Sequence, residues 1–142
     1  FLETVSAKAS GYSSGRAWSI IAGIYADKKD WAEAETAWTN AAVASAKTYL
    51  APVSFFNAAA AAEEQGKTPE AIELYTKSLA QNTGFPAAAR AQFSVGRLEE
   101  SQNNPEAALT AYQAVVSGWP NDGVWTNLAH SRIIVLGNET EN

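Results

Sequence analysis

An internal period narrows the possible folds of this chain more than any other property. The stretches Ala34 to Trp38, Ala71 to Tyr75 and Ala108 to Tyr112 each set an alanine four positions before an aromatic residue, and the alanines recur every 37 residues. Positions i and i+4 lie on one helical face, where the small residue admits a neighbouring helix and the ring fills the gap beside it. A period of this length belongs to stacked units, none of which hides its apolar face alone.

A second helical segment precedes each stretch. Trp18, Ile21, Ala22 and Tyr25 form one apolar stripe at i, i+3, i+4 and i+7. Residues Asp27 to Asp30 break it, and Asp30 with Glu33 has capping-box spacing for the next helix. Pro52 suits a first helical turn, followed by an apolar run from Phe55 to Ala62 and a break at Gln65, Gly66 and Lys67. Thr68, Pro69 and Glu70 restart the helix with a hydroxyl cap, a proline where no amide donor is needed and an acid at the positive end; Asn104, Pro105 and Glu106 repeat the device. A last helix covers about residues 122–136, with Gly137 as its stop, and Phe1, Leu2 and Val5 suggest part of a further helix ended by Gly11. Alternation of period two is nowhere sustained and Ala dominates, so strands are not expected.

With two antiparallel helices per unit, the chain resembles the tetratricopeptide repeat family, whose pattern is W-x2-L-G-x2-Y, then A-x3-F, then P. Trp18, Ile21, Ala22, Tyr25, Ala34 and Trp38 fill the main places in the first unit. Phe55, Ala58, Ala59, Ala62, Ala71 and Tyr75 fill them in the second, and Val95, Gly96, Ala108, Tyr112 and Pro120 in the third. Trp125, Leu128 and Ala129 reopen the pattern in the last helix. The 37-residue period is longer than the family's standard 34. The resemblance implies an all-α fold, a right-handed α-solenoid of antiparallel helix pairs in a single domain, residues 1–142. Its parts are a partial helix over 1–12, repeats over 15–51, 52–88 and 89–121, and a capping helix over 122–137.

The resemblance also implies a non-enzymatic scaffold that binds a peptide or protein segment along a concave wall made by the first helices. The inward residues there are Arg16, Ser19 and Gly23, then Val53, Phe56, Ala60 and Glu63, then Arg90, Phe93, Arg97 and Glu100, with Thr126 and His130 continuing the row. Two phenylalanines beside two arginines suit a partner with an apolar anchor and an acidic group. The alternative for the rings is packing against neighbouring helices, and for the arginines pairing with Glu63, Glu99 or Glu100 at the surface. Ser19 and Gly23, Phe56 and Ala60, Phe93 and Arg97 stand where a chaperone-tail clamp needs Lys, Asn and Arg, which disfavours that ligand.

Composition removes several other classes. A net charge of −5 repels nucleic acid and anionic lipid. The absence of Cys excludes thiolate chemistry and Cys-ligated zinc, and a single His leaves little scope for metal or acid–base sites. His130 and Ser131, adjacent on a helix, point about 100° apart and make no nucleophile pair. The glutamate pairs 63–64 and 99–100 read as solvated rims, so no catalytic residue, metal or cofactor is expected. No apolar run reaches the roughly 18 residues of a bilayer span. The Ala-rich, Cys-free composition favours the bacterial periplasm or cell envelope, with the cytoplasm also open. A self-associating module, or an accessory subunit of an envelope transport or assembly system, is the alternative role.

Overall fold

The structure is a computed structural model that describes Glu3 and residues 11–140, without the side chain of Thr140. The described residues form seven helices and no strand: α1 (Tyr12–Asp27), α2 (Trp31–Ala44), α3 (Leu50–Glu64), α4 (Thr68–Gln81), α5 (Ala88–Ser101), α6 (Pro105–Gly118) and α7 (Gly123–Thr140). The all-α class expected from the period is therefore observed. The helix expected over residues 1–12, with Phe1, Leu2 and Val5, lies mostly outside the described residues. The chain forms two compact units, Phe1–Phe85 with α1 to α4 and Pro86–Asn142 with α5 to α7. Within each, consecutive helices pack on one another, and first helices of successive hairpins also meet, α1 on α3 and α5 on α7.

One turn geometry, repeated, makes the hairpins. After α1, α3 and α5 the residues Lys29, Gly66 and Asn103, spaced by 37, all adopt positive φ, at 58°, 72° and 60°. Each closes a Schellman-type cap. The amides of Asp30, Lys67 and Asn104 donate back to the carbonyls of Tyr25, Ala62 and Glu99 at 2.9–3.0 Å. The sequence announces this conformation at Gly66, where no Cβ opposes it, and only weakly at Lys29.

The hairpin seams are built from small residues. Ala34, Ala41, Ala58, Ala59, Ala62 and Ala71 in the first unit are fully buried, as are Ala91 and Ala108 in the second. Rings fill what the alanines leave. Trp18, Tyr25 and Trp38 pack on the Ile21, Ala22 and Ala37 cluster, and Phe93 and Trp125 on the Tyr112, Val115, Ala129 and Leu136 cluster. Gly96 is a close approach, because a Cβ there would lie 2.6 Å from Cε1 of Tyr112.

Three local expectations are corrected. Asp30 Oδ1 does accept the Glu33 amide, at 3.5 Å. Thr68, however, is the first residue of α4, and Lys67 occupies the cap position without a side-chain bond. Asn104 sits at the cap of α6 but donates its amide to Glu99 instead, at 2.9 Å. Gly137 does not stop α7, which runs on to Thr140. An isolated helical glycine costs about 1 kcal/mol against alanine, too little to end a helix whose neighbours continue it.

Candidate functional site

The first helices present the predicted row, and the two units use it differently. In the first unit Arg16 is exposed, with its guanidinium 5.9 Å from the Tyr12 ring centroid and 3.3 Å from that residue's hydroxyl. Ser19 Oγ donates to the Gly15 carbonyl at 2.9 Å, and the space beside Gly23 is open. Val53 is half-buried and Ala60 exposed. Phe56 stands edge-on to Tyr75 and Phe85, at 5.3 and 6.3 Å between centroids, so its ring is tied into the hairpin. The Tyr75 hydroxyl donates to Glu63 at 2.7 Å. A hollow of about 240 Å³ opens nearby between Ala26, Trp31, Trp38, Asn57, Ala60, Ala61 and Glu64.

The second unit repeats this arrangement and adds to it. Phe93 packs against Tyr112 and Trp125, at 5.2 and 5.4 Å, and the exposed Arg90 lies 5.9 Å from the Trp125 centroid. The Tyr112 hydroxyl donates to Glu100 at 2.8 Å, and Arg132 of α7 grips the same carboxylate with two nitrogens, Nε at 3.2 Å and Nη2. Phe93, Arg97, Glu100, Ser101, Tyr112 and Arg132 together line a pocket of about 450 Å³. His130 is exposed; Thr126 is buried and donates to the Trp119 carbonyl at 2.7 Å, so it does not extend the open row.

The charge state of this pocket follows from those contacts. Partial burial acts to raise the Glu100 carboxyl, but the hydrogen bonds from Arg132 and Tyr112 outweigh it and hold the group below the usual carboxylate range. Tyr112 moves the other way, first through burial and then through its bond to Glu100, so it stays a neutral donor. The pocket therefore has an aromatic floor, one neutralised carboxylate and the Arg97 guanidinium at its wall. Ser131 Oγ is engaged with the Asn127 carbonyl at 3.1 Å.

Reading Glu63 and Glu100 as parts of solvated rims fails, because both accept tyrosine hydroxyls from the following helix. Phe56 and Phe93 do pack on neighbouring helices, as the alternative reading of these rings has it. Sequence reasoning missed Tyr112 and Arg132 as pocket walls. Arg132 carried a signal, being the sole Lys or Arg between residues 98 and 142 and lying in an otherwise apolar stretch. Among the described residues no group of three acidic or histidine side chains could hold a metal ion, and no helix is long and apolar enough to cross a membrane.

Comparison with known proteins bears on the same features. The sequence model of a family described as tetratricopeptide repeat matches residues 2–49 and 56–123. A protein of Treponema pallidum (strain Nichols), named "TPR repeat-containing protein", is 38% identical over 126 residues, which cover 89% of this chain and 52% of that relative. The chain thus spans about half the length of the curated relative it matches.

Proposed function

The chain belongs to the tetratricopeptide repeat family, and we propose that it is a scaffold that holds a protein segment on the first-helix faces of its units. Repeats of this family generally mediate protein–protein interaction, and its members are generally non-enzymatic. The observation that carries the finer reading is the pocket of Phe93, Arg97, Glu100, Tyr112 and Arg132. Its aromatic floor suits an apolar anchor side chain, and Arg97 at its wall suits an acidic group of the partner. In the first unit, Gly23 and Ala60 leave room on the same type of helix, and the Trp31 and Trp38 hollow offers a second apolar foothold. The Ala-rich, Cys-free composition supports a bacterial cell-envelope setting, which fractionation of the source cells tests.

The test is capture of cellular proteins by immobilised protein, compared with the triple variant Phe56→Ala, Phe93→Ala, Arg97→Glu and with a control altered on the outer face of α6 at Gln113→Ala. Loss of the captured proteins in the triple variant, with helical circular dichroism retained and the control unaffected, supports the reading. A folded triple variant that captures the same set refutes it.

A further inference from the structure

The first hairpin lacks a tyrosine–glutamate contact that the later ones make. Ala26 and Trp38 stand 37 residues before Glu63 and Tyr75, and have neither carboxylate nor hydroxyl. Where the later hairpins join a tyrosine hydroxyl to Glu63 or Glu100, a hollow of about 240 Å³ opens instead between α1, α2 and α3. Trp31 and Trp38 wall it, and Asn57 and Glu64 of α3 supply its polar groups. Three consecutive helices of one unit bound it, and no residue near either end of the sequence does.

The walls are fixed before any ligand arrives. Trp38 packs on the Ile21, Ala22 and Ala37 cluster. The Gln65 amide donates to the Trp31 carbonyl at 3.2 Å, to the Ala61 carbonyl at 3.0 Å and to Glu35 at 2.6 Å, which ties the first turn of α2 to the end of α3. Preformed walls lower the ordering cost of binding. Glu64, by contrast, is exposed, and its carboxylate has no ionic or hydrogen-bonding partner among the described residues. It is the one charged residue in the lining.

The second unit shows what such a place receives. At the matching seam of α5, α6 and α7, the rings of Phe93 and Tyr112 stand beside the Glu100 carboxylate, and Arg132 grips that carboxylate from within the chain. With Trp125 in register with Phe55, the place of Arg132 on α3 belongs to Ala62, which is fully buried. The first seam thus has rings and a carboxylate but no guanidinium in its lining. Being smaller than the roughly 300–1,000 Å³ of sites for drug-sized ligands, the hollow suits a single side chain. A guanidinium meets both kinds of wall at once, stacking on an indole face and binding a carboxylate through two N–H groups. A net charge of −5 draws such a cation in. We propose that the hollow of Trp31, Trp38, Asn57 and Glu64 receives an arginine side chain of the bound protein segment, its guanidinium on Glu64 and its stem against the indoles. The scaffold reading supplies the source of that arginine.

Titration of the isotope-labelled chain with Nα-acetyl-arginine methylamide, at constant ionic strength and up to about 50 mM, tests this by the indole N–H resonances. Those of Trp31 and Trp38 should shift to saturation, while those of Trp119 and Trp125 should not. The neutral citrulline analogue should bind about fivefold more weakly, and Glu64→Gln should weaken the arginine probe by as much. Trp31→Leu should weaken it about threefold. Arg97→Ala, in the other pocket, should leave it unchanged. No saturable shift of the two indoles, equal binding of the arginine and citrulline probes, or indifference to Glu64→Gln would each overturn the inference. The titration uses no cellular partner. Its failure, with partner capture lost in the triple variant, overturns this inference alone; its success, with capture retained there, overturns the reading of the Phe93 and Arg97 pocket alone.

Discussion

In the unit Phe1–Phe85 the Tyr75 hydroxyl reaches Glu63 beneath Phe56; in Pro86–Asn142 the Tyr112 hydroxyl reaches Glu100 beneath Phe93, and Arg132 clasps that carboxylate as well. Phe, Glu and Tyr are each 37 residues from their counterparts, so one brace is written twice. What differs is the helix that comes next. α7 brings an arginine to the brace, and the second unit's last helix is tied to its first by an ion pair as well as by packing. The small-residue places differ too: Ala59 of the first unit becomes Gly96 in the second, where the Tyr112 ring leaves no room for a Cβ. A shared brace can therefore be tuned by its neighbours without being replaced.

The comparison can be broken hardest at the tyrosines. Tyr112 is 1% exposed, and Tyr112→Ala should cost the second unit about 3–5 kcal/mol, read as loss of amide protection across α6 and α7. Tyr75→Ala should do the same to α3 and α4, and equal effects would support a common brace. Gly96→Ala comes next, at about 1–3 kcal/mol, because the ring must shift. Chemical denaturation with segment-resolved hydrogen exchange checks both.

The periodic parts of this account were legible and the aperiodic parts were not. Ala34, Ala71 and Ala108 with their aromatic partners exposed the hairpins because helix packing needs a small residue beside a ring at every joint. The hydrogen bonds from Tyr75 to Glu63 and from Tyr112 to Glu100 join side chains 12 residues apart, a distance set by the hairpin turn, so neither residue's type alone reveals them. Arg132 reaches Glu100 over 32 residues, a contact that exists only once α5, α6 and α7 have stacked. Thr68 and Gly137 misled because both are common at helix ends yet tolerated just inside them.

Acid sharpens the contrast through opposite signs. Burial, with the neighbouring Glu70 carboxylate, pushes Glu35 in the first unit above the usual range, against a hydrogen bond from Gln65 at 2.6 Å. A raised folded-state pKa gives stability that is present below the ordinary value of about 4.3 and lost as pH rises through the raised one. Glu100 is held low, so its contribution is present above about 4.3 and lost as pH falls through its depressed value. On acidification the first unit should gain stability before the second begins to lose it. Glu35→Gln should flatten the first change and Glu100→Gln the second, each read by denaturation across the pH series. The smallest effects belong to the turns: Lys29→Gly should stabilise the first hairpin by up to about 1 kcal/mol, and Asn103→Gly should do less for the second, since asparagine tolerates positive φ better.

Site-specific photo-crosslinking in the source cells addresses the binding face directly. A photoreactive phenylalanine analogue at Ala60 or Arg97, on the first helices of the two units, should attach the chain to partner protein, and the same probe at Gln113 on α6 should not. Adducts from Gln113 with none from Ala60 or Arg97 would place the partner on the second helices and contradict the account.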